Sequence, residues 1–339
     1  MNEELIYRLQ QGIPLERRPF NAMARRLNLT EEEVLNTVQQ LLHEGKARRL
    51  GAVFDARRLG YRSALCAMKL NRSDVVPIAR IVSEHTGVTH CYERGWPPEL
   101  APNLPGGPHG DPLPNLWFTL AVIADQFEEQ LQQLQERVAP HSMLVLPAVR
   151  RFKIDVVFDL RTRDREEIFP GVPVSEIQET EATHVVGEKE RRIVRALQDH
   201  LPIEPDPYET TARNLDLSED ELLSLLNEWR ERGVLRRVAL VMRHDRIGFK
   251  ANGMCVWDAA EESALAIGRK VAAYPSVTHC YQRLRKPEFP FNLYAMIHTG
   301  EWPSTQTLFH QISMETELME GRLLCSLQEF KKTSMRYFE

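Results

Sequence analysis

The sequence predicts an α+β protein made by tandem duplication, each half a winged helix-turn-helix followed by a ferredoxin-like βαββαβ domain. Three observations carry that prediction. Val88-Thr89-His90-Cys91-Tyr92-Glu93-Arg94 returns as Val277-Thr278-His279-Cys280-Tyr281-Gln282-Arg283 with six of seven residues identical, and such self-similarity marks repeated units. Residues 19–50 lie over 207–238 without a gap, so that Arg25/Arg213, Leu27/Leu215, Gly45/Gly233 and Arg48-Arg49/Arg236-Arg237 coincide. The same order of helical and alternating segments then follows in both halves. Halves of roughly 150 residues are each of domain size. The expected division is helix-turn-helix units at 1–50 and 188–238, sheet-bearing domains at 51–160 and 239–339, and a charged, Pro-interrupted linker at 161–187.

In the first half, helices are expected at 3–11, 20–27 and 30–44, the last opened by a Thr30/Glu33 capping box and closed by Gly45. Ser218, Glu221 and Gly233 repeat the device. Val34, Leu35, Val38, Leu41 and Leu42, like Leu222, Leu223, Leu225, Leu226 and Trp229, recur at helical spacing and give one core-facing stripe per helix. Wings follow at 48–54 and 236–242. The first half continues with strands 64–70, 88–94, 116–123 and 149–158 and helices 75–84 and 126–137. The second has strands 251–257, 277–283, 293–298 and 323–330 and helices 260–273 and 304–316. That order gives an antiparallel sheet with helices on one face, and two homologous halves imply an intramolecular pseudo-dimer. One difference stands out: eleven of the twenty residues in 95–114 are Gly or Pro, against the short connection 284–291. The loop is expected to be a lid or a flap, with His109 able to reach a site from outside.

With 43 basic and 48 acidic side chains the net charge is −5, so nothing draws the whole chain to a polyanion or a membrane face. No apolar run approaches the ~18 residues of a membrane span, and the acidic start Met1-Asn2-Glu3-Glu4 is unlike a signal peptide; a cytoplasmic protein is expected. Five cysteines without a CxxC pair argue against a disulfide framework, a zinc ribbon or an iron-sulfur cluster. Cys91 and Cys280 fall on the strand face opposite their neighbouring histidines and are expected to be buried. The helix placed to enter a major groove begins Glu31-Glu32-Glu33 in one copy and Glu219-Asp220-Glu221 in the other. Acidic leading turns repel phosphates, so the helix-turn-helix is expected to serve packing rather than DNA.

The period of a strand puts His90, Tyr92 and Arg94 on one face, and His279, Tyr281 and Arg283 likewise. An imidazole, a phenol and a guanidinium supply a proton donor or metal ligand, a hydrogen-bond donor and a carboxylate clamp, a set suited to an acidic small molecule. A second polar cluster lies at the wing, in Arg236, Arg237, Arg243, His244 and Arg246. The first half keeps Arg48 and Arg49 but has Ala56 where His244 stands. The second half is therefore expected to carry the principal site, with His244 joining His279, Tyr281 and Arg283.

The order helix-turn-helix, Arg-rich wing with Arg243-His244 and Gly248-Phe249, the Val277–Arg283 signature, then Phe291-Asn292-Leu293-Tyr294-Ala295-Met296-Ile297-His298 resembles the sirohaem decarboxylases, which are similar in fold to Lrp/AsnC regulators. The resemblance spans nearly the whole chain outside the linker and the Pro-rich loop. It implies removal of the two acetate carboxylates of sirohaem to give didecarboxysirohaem, on the way to haem or d1-type haem, by two homologous subunits fused head to tail. It implies no cofactor beyond the iron tetrapyrrole substrate, with His244, His279 and His90 in catalysis and either His244 or His279 as ligand of the substrate iron. A polycarboxylate substrate also implies a polar rim. The second half offers Arg236, Arg237, Arg243, Tyr281, Arg283, Arg285, Lys286 and Asn292, the first Arg48, Arg49, Tyr92, Arg94 and His109. The alternatives are an Lrp/AsnC-type DNA-binding regulator and a non-catalytic tetrapyrrole-binding protein. Pairing into a homodimer is left open.

Overall fold

Both capping boxes form in the computed structural model. Thr30 Oγ1 accepts from the Glu33 amide at 3.2 Å while the Glu33 carboxylate accepts from the Thr30 amide at 2.7 Å; Ser218 and Glu221 repeat this at 3.3 and 2.8 Å. Gly45 and Gly233 end the same helices at φ +65° and +70°, a left-handed conformation open to glycine at no steric cost. The structure describes residues 2–95, 113–154, 156–161, 177–178 and 186–339. The loop with His109 and most of the 161–187 linker lie outside the described residues.

Each half begins with three helices: α1 (Glu3–Gln11), α2 (Pro19–Leu27) and α3 (Glu31–His43), matched by α6 (Glu188–Gln198), α7 (Pro207–Asn214) and α8 (Glu219–Glu231). The wing differs from expectation. Each half supplies one strand, β1 (Ala47–Phe54) and β8 (Leu235–Met242), and these pair antiparallel with Leu50 opposite Leu240. A lone strand would leave its amides and carbonyls unpaired, and the other copy provides the partner. The two helical units then share one core, in which Leu9, Phe20 and Leu41 meet Leu222, Trp229 and Val238.

The first sheet domain contains β2 (Tyr61–Met68), α4 (Val75–Glu84), β3 (Val88–Gly95), β4 (Leu116–Ile123), α5 (Phe127–Arg137), β5 (Met143–Leu146) and β6 (Ala148–Ile154). After the short β7 (Ile177–Gln178), the second contains β9 (Ala251–Trp257), α9 (Ala264–Ala273), β10 (Val277–Arg283), β11 (Leu293–Thr299), α10 (Trp302–Glu315) and β12 (Gly321–Lys332). Sequence reading placed 149–158 in the sheet of its own half and missed β5; the structure corrects both. β5 pairs with β2 of its own half, whereas β6 crosses to β10 of the other. β12 likewise lies along β9 with residues 321–325 and along β3 with residues 325–332. Pro147, which cannot donate to a ladder, separates β5 from β6, while β12 runs unbroken.

The strand order is β5-β2-β4-β3-β12-β9-β11-β10-β6-β7. Because β5 and β6 are consecutive in the chain, the sheet returns on itself. Ala67, Trp117 and Leu146 of one half pack inside it against Met254, Val256, Tyr294 and Leu324 of the other, and the helices cover the outer faces. The exchange is stabilised by apolar burial: Phe152 of β6, 2 % exposed, belongs to the core of the second half.

Candidate functional site

The His-Tyr-Arg ladders form as expected. His90 and Tyr92 stack at 6.3 Å between centroids and His279 and Tyr281 at 6.4 Å, with Arg94 and Arg283 over the tyrosine rings at 5.1 and 4.8 Å. Thr89 Oγ1 lies 2.9 Å from His90 Nδ1, and Thr278 Oγ1 lies 3.0 Å from His279 Nδ1. The arginines are not the free clamps expected. Arg94, buried, donates to Ser326 Oγ at 3.0 Å, and Arg283 donates to the Leu146 carbonyl at 2.6 Å. Each guanidinium thus fastens a strand of the opposite half.

The largest correction concerns His244. It begins a single 3-10 turn, His244–Ile247, after β8, and its Nδ1 lies 3.0 Å from the Phe249 carbonyl. A carbonyl only accepts, so Nδ1 carries the proton and Nε2 the lone pair. That Nε2 accepts from Lys332 Nζ at 2.7 Å. Lys332 is the last residue of β12, directly across from His90 of the first half, and Glu329 on the same strand accepts from the Tyr92 hydroxyl at 3.1 Å. His244 therefore sits with the ladder of the first half, brought there by the strand exchange, and not beside Tyr281 and Arg283.

His298 completes this cluster. Its ring meets that of His244 at 4.8 Å, Phe158 packs on both imidazoles, and Thr278 Oγ1 lies 3.1 Å from His298 Nδ1. Burial lowers every one of these imidazoles: His90 to about 3 with His279 and Lys332 adding to the effect, His279 to about 4 with Arg236 and Lys153 adding, His244 in the same direction, and His298 well below its ordinary range. Neutral imidazoles close together avoid mutual repulsion. Burial also lowers Lys332, against the attraction of Glu329. Arg48, from β1, is lowered first by burial and next by Arg243; among the described residues no carboxylate is bonded to either.

The equivalent place beside Tyr281 has an internal carboxylate. Asp55 occupies the position of Arg243, and its Oδ2 accepts from Arg151 and Arg236, each at 3.0 Å, with Arg57 Nε 3.4 Å from Oδ1. Burial alone would raise the Asp55 carboxyl, but Arg236 and Arg151 outweigh it and hold it far below the usual carboxylate range. Arg236, an expected rim residue, is thus committed to an internal carboxylate.

Other expected rim residues are also engaged elsewhere. Asn292, 1 % exposed, donates to the Ala259 carbonyl at 2.9 Å and accepts from its amide at 2.8 Å, as Asn115 does with Leu70. Both asparagines tie down turns. Arg285 pairs with Asp258 and Glu261, whereas Lys286 exchanges backbone hydrogen bonds with Phe289, which do not commit its side chain. Arg49 donates to the Ala52 carbonyl and Arg237 packs near Gly12, because alternate residues of the ribbon face the helices. All five cysteines are buried thiols. Among the described residues, no group of His, Cys, Asp and Glu is arranged to hold a metal. Sequence reasoning gave no role to His298, Lys332, Asp55 or Arg151, although His298 closes the 291–298 run and Asp55 aligns with Arg243.

Comparison with known proteins adds three findings. A family model described as "Siroheme decarboxylase NirDL-like HTH domain" matches residues 2–48 and 190–236, and one for an "AsnC-like ligand binding domain" matches 58–153 and 246–331. The chain is 36% identical over 338 residues to a siroheme decarboxylase of Hydrogenobacter thermophilus, covering 99% of this chain and 94% of that one. A siroheme decarboxylase beta subunit of Methanosarcina barkeri is 36% identical over 145 residues, 43% of this chain and 95% of its own length. Among solved structures, the siroheme decarboxylase NirDL in complex with an iron-uroporphyrin III analogue matches with a TM-score of 0.70 and 32% identity, covering 100% of this chain and 95% of that one.

Proposed function

The chain belongs to the sirohaem decarboxylases, and we propose that it removes the two acetate carboxylates of sirohaem at one site to which both halves contribute. The observation that carries the site assignment is a concerted divergence between the halves. His244, His298 and Lys332 have as counterparts Ala56, Ala121 and Ile154: Ile154 opposes His279 as Lys332 opposes His90, and the Ala121 and His298 amides donate to Gly87 and Ser276 at equivalent turns. Three polar residues on three separate segments meet on one side, and their three aliphatic counterparts define the other.

Each decarboxylation converts a pyrrole-bound CH2–COO− and one proton into CH3 and CO2. The electron pair of the breaking C–C bond remains on the methylene, with the conjugated ring sharing it, and a proton must reach that carbon. Lys332 and His244 form the proton-delivering pair, the ammonium holding a proton 2.7 Å from His244 Nε2. A positioned group of this kind contributes about 100-fold or more in rate. Arg48 and Arg243 supply positive charge for carboxylates of the substrate, with the Tyr92 hydroxyl nearby. Since Lys332 occupies His244 Nε2, His279, joined to the His298 ring of the same cluster through Thr278 Oγ1, is the freer of the two candidate ligands for the substrate iron. A neutral imidazole is the form that ligates.

No described helix is long and apolar enough to cross a membrane. Specific DNA binding is not part of this proposal. Glu31 pairs with Arg18, and Glu219 and Asp220 with Arg17, so one short segment links the acidic ends of α3 and α8 across the halves while both turns keep a net negative charge. Anaerobic incubation with sirohaem and mass spectrometry tests the activity: two carboxyl groups should be lost without an added organic cofactor. Unchanged sirohaem recovered on folded protein would leave a tetrapyrrole-binding protein without chemistry.

A further inference from the structure

The duplication creates two equivalent places, one at the Tyr92 ladder and one at the Tyr281 ladder, yet two of their three charged positions have exchanged signs. At the first, the wing contributes Arg48 and Arg243, and the strand across from Tyr92 contributes Glu329. At the second, Arg236 keeps the place of Arg48, but Asp55 replaces Arg243 and Arg151 replaces Glu329 across from Tyr281. Two facing positions have changed sign together. A single change would have set like charges against each other; with both, Asp55 and Arg151 meet at 3.0 Å, whereas among the described residues no carboxylate is bonded to Arg243.

We propose that Asp55 is an internal substitute for a substrate carboxylate, which closes the second place so that each chain holds one tetrapyrrole. Three observations support the assignment. The carboxylate is 5 % exposed and receives two guanidinium bonds at 3.0 Å, the charge-assisted geometry by which arginine recognises carboxylates. One of the donors is the counterpart of Arg48, which has no such partner among the described residues. Three guanidiniums, those of Arg57, Arg151 and Arg236, converge on this one carboxylate, so removing Asp55 would leave them to receive the carboxylates of an anionic ligand. The inference rests on the reading that the Arg48 side binds the tetrapyrrole. It adds that the place beside Tyr281 is closed by the protein's own carboxylate.

Ferric uroporphyrin is a suitable probe because it carries carboxylates around an iron tetrapyrrole. Titrated into the full-length chain and followed by its absorbance, it should saturate at one equivalent for the wild type, and Asp55→Ala should take up a second. Wild-type saturation at two equivalents would overturn the proposal, as would a folded Asp55→Ala that still binds one. Should Asp55→Ala fail to fold, two milder variants decide. Arg48→Gln should weaken the single site at least tenfold and Arg236→Gln by less than twofold. Equal weakening by both would refute the clasp while leaving the site reading intact. Arg48→Gln without effect, or no uptake by the wild type, would overturn the underlying site reading and the clasp with it.

Discussion

Phe152 offers the sharpest test of the strand exchange, because it is encoded in the first half and buried in the second. Its ring lies on the bare backbone of Gly268 in α9, so close that a Cβ added there would come within 2.2 Å of it. It also joins the core of Val271, Val277, Cys280 and Ile297. Removing a buried Phe ring costs about 3–5 kcal/mol, and the upper part of that range is expected since Gly268 has no side chain to relax into the void. Against a total stability on the order of 5–15 kcal/mol, Phe152→Ala is severe yet compatible with folding. Hydrogen exchange is the assay. Amides of α9 and β10 should lose protection first, although the substitution lies outside the second half. Loss confined to β2, β4 and α5 would show that β6 belongs to its own half and refute the exchange.

Other outcomes follow from the same geometry. His90, His244, His279 and His298 are all lowered by burial, so the unfolded chain binds more protons between the ordinary histidine pKa of about 6.5 and the lower folded values. Their stabilising effect is complete above pH ~6.5 and is lost as pH falls, at up to about 1.4 kcal/mol per pH unit for each imidazole; denaturant midpoints that stay flat from pH 7 to 5 would contradict this. Asn292→Ala should cost about 1–3 kcal/mol by orphaning the Ala259 amide and carbonyl while leaving tetrapyrrole affinity within twofold; the reverse pattern would restore Asn292 as a binding residue. In single-turnover decarboxylation, Lys332→Met and His244→Ala should each lower the rate about 100-fold, and rates within a few-fold of wild type would remove the pair from the reaction.

Much of this architecture was legible from local signals. The boxes at Thr30/Glu33 and Ser218/Glu221 are fixed within four residues of chain, and the ladder His90-Tyr92-Arg94 needs only the period of a strand. What the sequence could not display is which neighbour a strand chooses. Alternation in 148–154 marks a strand, but two sheets of near-identical pattern can each accept it, and Pro147 decides only where it breaks. Lys332 was hidden for that reason: it reaches His244 because β12 crosses to β3. Asp55 was legible in principle. It aligns with Arg243, and the reversal becomes meaningful only with Arg151 and Glu329 placed across from Tyr281 and Tyr92. Arg94 and Arg283 are read as clamps because a motif conveys residue type and face, and their bonds to Ser326 and the Leu146 carbonyl are outside its reach.

The claim that one asymmetric site does the work is tested most directly by a crystal structure of the wild-type chain with sirohaem bound under anaerobic conditions. A single tetrapyrrole is expected against His244, His298 and Lys332, with carboxylates on Arg48 and Arg243 and the Asp55–Arg151–Arg236 cluster intact. Density instead at the Tyr281 ladder, with Asp55 displaced and Arg236 turned to the substrate, would contradict the account.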